Sequence, residues 1–178
     1  GEATLNTLRC RYHGKRFGLD GKFQFMPEFE GCKDFPCEAD HLSEVALGAL
    51  GKWLFASLRP HSSFDKIFQP VIDRVGWLPF NEFRHDPARA REYMVRGHWA
   101  IYVDNYLEGF HIPYIHAALN ATLDYENYTT ELFEFGNLQL GVGKDGEECF
   151  DLPTSSPDYG NPISAYYYWL FPNLMLNF

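Results

Sequence analysis

The sequence predicts an α+β protein in two parts: a small all-β unit over residues 1–60, then a unit of helices and antiparallel sheet over residues 61–178. Three observations carry this expectation. Short apolar runs broken by Gly, Pro and Asp fill the first sixty residues, the pattern of turn-punctuated strands. A polar stretch, Arg59-Pro60-His61-Ser62-Ser63, then interrupts the chain and marks a domain boundary. Beyond it the apolar spacing becomes helical, and it returns to strand-like runs from Thr129 onward.

Taken in order, Thr4 to Arg9 is expected to be a strand that delivers Cys10-Arg11-Tyr12-His13-Gly14 into a loop. Arg16 to Leu19 and Lys22 to Phe25 form a hairpin around Asp20-Gly21, a pair that supplies the positive φ of a tight turn. Gly31 to Asp40 is irregular, and Leu42 to Leu47 and Lys52 to Leu58 are two further strands around Gly48 and Gly51. Phe64 to Val75 is an amphipathic helix, with Phe64, Ile67, Phe68, Val71, Ile72 and Val75 at helical spacing and Ser63 as N-cap. Arg89 to Arg96 reads as a strand and His98 to Leu119 as a helix. Four strands follow, at Thr129 to Phe135, Leu138 to Val142, Ala165 to Phe171 and Leu174 to Phe178. A Lys144-Asp145-Gly146 turn and a proline-bearing loop over Asp151 to Pro162 lie between the second and third. The opening GEATLNTLRC and the closing PNLMLNF both read as interrupted strands, so the chain is expected to be a fragment cut at both ends.

A net charge of −9 disfavours nucleic acid or an anionic membrane as partner, since both need basic surface. No run of about 18 apolar residues exists to span a bilayer, and the protein is expected to be cytoplasmic. Four cysteines in 178 residues do not make a disulfide scaffold. Cys32, Cys37 and Cys149 read as ordinary small apolar residues.

Two stretches carry chemistry. The first is Glu108, His111 and His116, spaced E-x-x-H-x-x-x-x-H behind Asp104-Asn105. Two imidazoles and a carboxylate are the donors of the facial site that holds non-haem Fe(II). On a regular helix Glu108 and His111 share a side, but His116 lies roughly 140° away at about 100° per residue. Pro113 is therefore expected to kink the helix and swing His116 back. The five-residue histidine spacing excludes the zinc-peptidase pattern, in which the pair is four apart. The alternative is that both histidines are structural. The second stretch is Cys10-x-x-His13, a thiolate and an imidazole at a loop tip. Mixed Cys and His ligation of this kind belongs to a Rieske [2Fe–2S] centre.

Together the two stretches resemble one family, the Rieske non-haem iron oxygenase large (α) subunits of ring-hydroxylating and quaternary-amine oxygenases. Cys10-Arg11-Tyr12-His13-Gly14, with Phe17 and Leu19-Asp20-Gly21 behind it, is similar to the second half of the family's cluster motif. Asp104-Asn105-Tyr106-Leu107-Glu108-Gly109-Phe110-His111, followed by His116, is similar to its mononuclear iron motif. The resemblance implies the C-terminal part of a Rieske domain over 1–60 and the first part of a helix-grip catalytic domain over 61–178. It implies Cys10 and His13 as cluster ligands and His111 and His116 as ligands of a mononuclear Fe(II). Glu108 then takes the place of the carboxylate linking a neighbouring subunit's cluster to the iron, and Asn105 that of an iron-proximal asparagine.

Glutamate at the linking position is more similar to the branch acting on choline and carnitine than to the ring dioxygenases. The implied reaction is hydroxylation of a small organic substrate with O₂, as mono- or dioxygenase. Its electrons come from NAD(P)H through a separate reductase and possibly a ferredoxin, in a homotrimer or an α3β3 assembly. The family's first C-x-H pair and its third iron ligand, a downstream aspartate, have no counterpart in this sequence, so the isolated chain is expected to be inactive. Two other functions compete: an electron-transfer Rieske protein, which leaves the His111 stretch unused, and a non-catalytic ligand-binding domain. Tyr166-Tyr167-Tyr168-Trp169 reads either as a cation–π surface for a quaternary ammonium or as a strand packed on both faces.

Overall fold

A computed structural model describes residues 4–178; residues 1–3 of the expected opening strand lie outside the described residues. The chain divides into two compact units, Gly1–Leu47 with Ala56–Pro60, and Gly48–Phe55 with His61–Phe178.

In the first unit, β1 (Leu8–Arg9), β2 (Arg16–Phe17) and β3 (Phe23–Phe25) form a three-stranded antiparallel sheet in that order. The strand expected from Thr4 is thus only two residues long among those described. The β2–β3 turn falls at Asp20-Gly21, where Gly21 has φ +79° and donates its amide to the Gly18 carbonyl. Lys15 pins the sheet: its Nζ bonds Asp40 Oδ1 at 3.0 Å and lies over the rings of Phe17, Phe23 and Phe35.

The next hairpin, β4 (Ala46–Leu50) with β5 (Trp53–Ser57), starts four residues later than Leu42. Its turn is at Gly51, φ +56°, one of the two glycines named for it. Gly48 is instead a strand residue lying so close to the Phe64 ring that any Cβ there would collide with it.

In the second unit, α1 (Phe64–Val75) has the predicted bounds, and Ser63 Oγ accepts the Lys66 amide at 3.2 Å. Arg89 to Arg96 is not a strand. No partner strand pairs with it among the described residues, and Tyr93, Met94 and Val95 stand exposed. The helical stretch is three helices, α2 (Trp99–Leu107), α3 (Ile112–Ile115) and α4 (Ala117–Thr122). A four-stranded antiparallel sheet follows: β6 (Thr129–Phe133), β7 (Gly136–Val142), β8 (Ile163–Leu170) and β9 (Leu174–Asn177), in sequence order.

Strand alternation sorts this sheet into two faces. Leu138, Leu140, Tyr166, Tyr168 and Leu176 form the main core with Phe68, Val71 and Val75 of α1. The opposite face carries Gln139, Tyr167 and Asn177, and the Tyr106 hydroxyl of α2 donates to Asn177 Oδ1 at 2.6 Å. The second unit therefore layers α1, the sheet and the α2–α4 segment. Among the described residues no helix is long and apolar enough to cross a membrane.

Burial raises the pKa values of Tyr106, Tyr128, Tyr166, Tyr167 and Tyr168 above their ordinary value of 10.0. A phenol whose folded-state value is raised contributes stability that is complete below about pH 10 and lost as pH rises through the folded value. Titration followed at 295 nm should show a late tyrosine class whose ionisation coincides with loss of the circular dichroism signal. Buried tyrosines that ionise near 10 with the fold intact would contradict this.

Candidate functional site

The α2–α4 segment builds the site because its helix is broken twice. The break is not at Pro113, as expected. Pro113 sits in the first turn of α3, where a missing N–H costs nothing. The chain leaves helical geometry at Glu108 (φ −113°, ψ 145°) and again at His116 (φ −106°, ψ 69°). Together these turns bring the His111 and His116 rings edge to face, with centroids 4.9 Å apart.

Glu108 closes the first break. Its Oε2 accepts the amides of Phe110 at 2.6 Å and His111 at 3.3 Å, while Oε1 is paired with His111 Nδ1. Burial alone would raise the Glu108 carboxyl, but the His111 hydrogen bond and the Phe110 amide outweigh it and hold the group below the ordinary carboxylate range. A carboxylate only accepts, so His111 donates from Nδ1, and in the neutral imidazole that leaves Nε2 as the bare nitrogen. Both Glu108 oxygens are thus engaged behind His111.

His111 and His116 open into a cleft of about 190 Å³ that is also lined by Tyr102, Asn105, Tyr106, Tyr128, Gln139 and Tyr167. Among the described residues no group of three His, Cys, Asp or Glu side chains is arranged to hold an ion. Two imidazoles, one oriented by a carboxylate, are the donors this chain brings, and they suit a divalent iron. Tyr167 supports both readings of the Tyr166–Trp169 run in part. The strand does alternate, with Tyr166 and Tyr168 buried in the core, yet Tyr167 faces the cleft.

The Cys10–His13 loop joins β1 to β2. It is closed by the Cys10 amide on the Lys15 carbonyl at 2.8 Å and the Gly14 amide on the Cys10 carbonyl at 3.1 Å. Cys10 and His13 are exposed at its tip, with the Tyr12 ring against His13. An accessible thiol and imidazole on a clamped loop fit one half of a mixed Cys/His cluster site. Cys32, Cys37 and Cys149 are free and exposed as well.

Sequence reasoning missed Tyr128 and Gln139. Tyr128 carried no signal. Gln139 carried one: an amide between Leu138 and Leu140, in a strand buried on both faces.

The chain's fold is a mixed helix-and-sheet one that resembles the structures of Rieske oxygenases. Its structure matches that of a quaternary ammonium Rieske monooxygenase studied for carnitine oxidation by gut microbiota and inter-subunit electron transfer. The TM-score is 0.71 at 19% identity, covering 99% of this chain and 46% of that one. Residues 80–178 match the family model for the ring-hydroxylating alpha subunit (catalytic domain), and the chain belongs to that family. Among curated relatives, the chloroplastic choline monooxygenase of Arabidopsis thaliana is 27% identical over 190 residues, covering 99% of this chain and 43% of that protein. The carnitine monooxygenase oxygenase subunit of Escherichia coli (strain K12) is 25% identical over 174 residues, covering 97% and 45%. The chain spans less than half the length of these relatives.

Proposed function

We propose that this chain is part of the oxygenase subunit of a quaternary-amine monooxygenase, with residues 1–60 contributing to a Rieske domain and 61–178 to the catalytic domain. The observation that carries it is the His111–His116 pair with Glu108 bound to His111 Nδ1. His111 and His116 would hold a mononuclear Fe(II), and Cys10 and His13 half of a [2Fe–2S] cluster. When bound, these groups supply electron relay and O₂ activation, with NAD(P)H and a separate reductase as the electron source.

The chain's own residues do the rest. Glu108 holds the Nδ1 proton of His111, so that Nε2 stays free as a donor, and it stands where a partner subunit's cluster would be linked. Asn105 lines the cleft beside the histidines. Tyr102, Tyr106, Tyr128 and Tyr167 line the cleft, and an aromatic lining of this kind supports a quaternary ammonium substrate. The choline and carnitine monooxygenases among its relatives support the same class.

The test is turnover by a protein carrying this sequence at the length of its relatives, supplied with a reductase and NADH. Choline- or carnitine-like amines should be consumed in an O₂-dependent reaction, and simple arenes should not. Oxidation of arenes with quaternary amines left untouched would overturn the substrate class.

A further inference from the structure

Gln139 lies in the middle of β7, 1% exposed, on the face that looks toward the cleft. Its Nε2–H donates to the Tyr106 carbonyl at 2.9 Å, and its Oε1 accepts from the Tyr128 hydroxyl at 2.9 Å. The orientation of the amide follows from its partners. The Tyr106 carbonyl can only accept, so the NH₂ must face it, which leaves Oε1 for the one hydrogen Tyr128 can donate.

Tyr106 is the penultimate residue of α2. In a helix that ran on, its carbonyl would take the amide of Phe110, four residues further. Here the Phe110 amide goes to Glu108 Oε2 instead. The two bonds are an exchange of partners: Gln139 satisfies the carbonyl, and the freed amide satisfies the carboxylate that holds His111. A helix-terminal carbonyl buried without a donor is costly. Without the Gln139 amide, α2 would gain by reclaiming Phe110, and that drags the amide off Glu108.

We propose that Gln139 is a positioning residue that ends α2 at Leu107 and thereby sets Glu108 against His111, with Tyr128 holding the amide in place. The consequence for iron binding rests on the function proposed above; the positioning itself does not.

The test is the imidazole ¹H–¹⁵N spectrum of the ¹⁵N-labelled chain at neutral pH. In the wild-type chain His111 should be in the Nδ1–H tautomer. Gln139→Leu should lose that signature and move His111 toward the mixture of tautomers that an unpartnered imidazole adopts. Tyr128→Phe should shift it the same way by less. Val71→Ala, which opens the core on the far face of the sheet, should lower stability and leave the signature intact. Retention of the Nδ1–H form in Gln139→Leu, or its equal loss in Val71→Ala, would overturn the proposal. Should Gln139→Leu not fold, an unchanged His111 in folded Tyr128→Phe overturns it. Because the readout needs no iron, its outcome is separate from that of the iron-ligand assignment.

Discussion

Replacing His111 by alanine in a protein of full family length is expected to empty the mononuclear site while leaving the cluster's optical and EPR signals in place. Under the proposed function this imidazole is one of the two iron ligands, and it is the one whose Nδ1 is held by a carboxylate. Loss of a ligand should bring O₂-dependent turnover to background, with iron falling by the increment that belongs to one mononuclear ion. His116→Ala should behave alike. Glu108→Gln is the graded case: its one amide oxygen can replace the acceptor for His111 Nδ1 or for the Phe110 amide but not both, and it carries no charge. Its effect is expected to be about 10- to 100-fold on activity or metal affinity, the range for a group behind a metal ligand. A preparation of His111→Ala that keeps full mononuclear iron and turnover would remove the assignment.

The second large effect is on stability. Arg74, near the end of α1, makes two bonds to Asp158, from Nε at 2.6 Å and from a terminal nitrogen at 2.7 Å, and two to Glu131 of β6. Asp158 is 4% exposed and also accepts the Tyr166 hydroxyl at 2.9 Å. The pair ties α1 to the loop before β8. Arg74→Met leaves a buried carboxylate with one phenol, and breaking a buried pair from one side costs about 3 kcal/mol. For a chain of this size that is a fall of roughly 6–12 °C in Tm. Asp158→Asn should cost less, since the amide still accepts from Tyr166 and from Arg74. Equal losses for the two variants in urea titrations would mean that a stranded carboxylate is not the source of the cost.

Gln139 and Asp158 show why part of this molecule could not be read in advance. Each is polar, each is buried, and each has a decisive partner far along the chain, Tyr106 33 residues from Gln139 and Arg74 84 residues from Asp158. Nothing in the local pattern points to either distant partner. The Pro113 kink failed for a related reason. Proline was the obvious helix breaker in the stretch, but the helix had already ended, because the Phe110 amide had a better acceptor in Glu108. Arg89 to Arg96 had strand-like spacing and no strand to pair with.

What the sequence determined by itself is periodic or motif-bound. The α1 helix was legible to its end residues, because its apolar stripe and Ser63 are local signals. The two-faced strand through Tyr166 and Tyr168 was legible from its aromatic run, and family membership from the two spaced motifs, Cys10-x-x-His13 and Glu108-x-x-His111. Only the tertiary structure decided how His111 and His116 come to face one cleft. A helix ends where its last carbonyls and the following amides find better partners than each other. For α2 those partners are Gln139, on a strand 33 residues away, and Glu108, whose carboxylate the turn itself brings into reach.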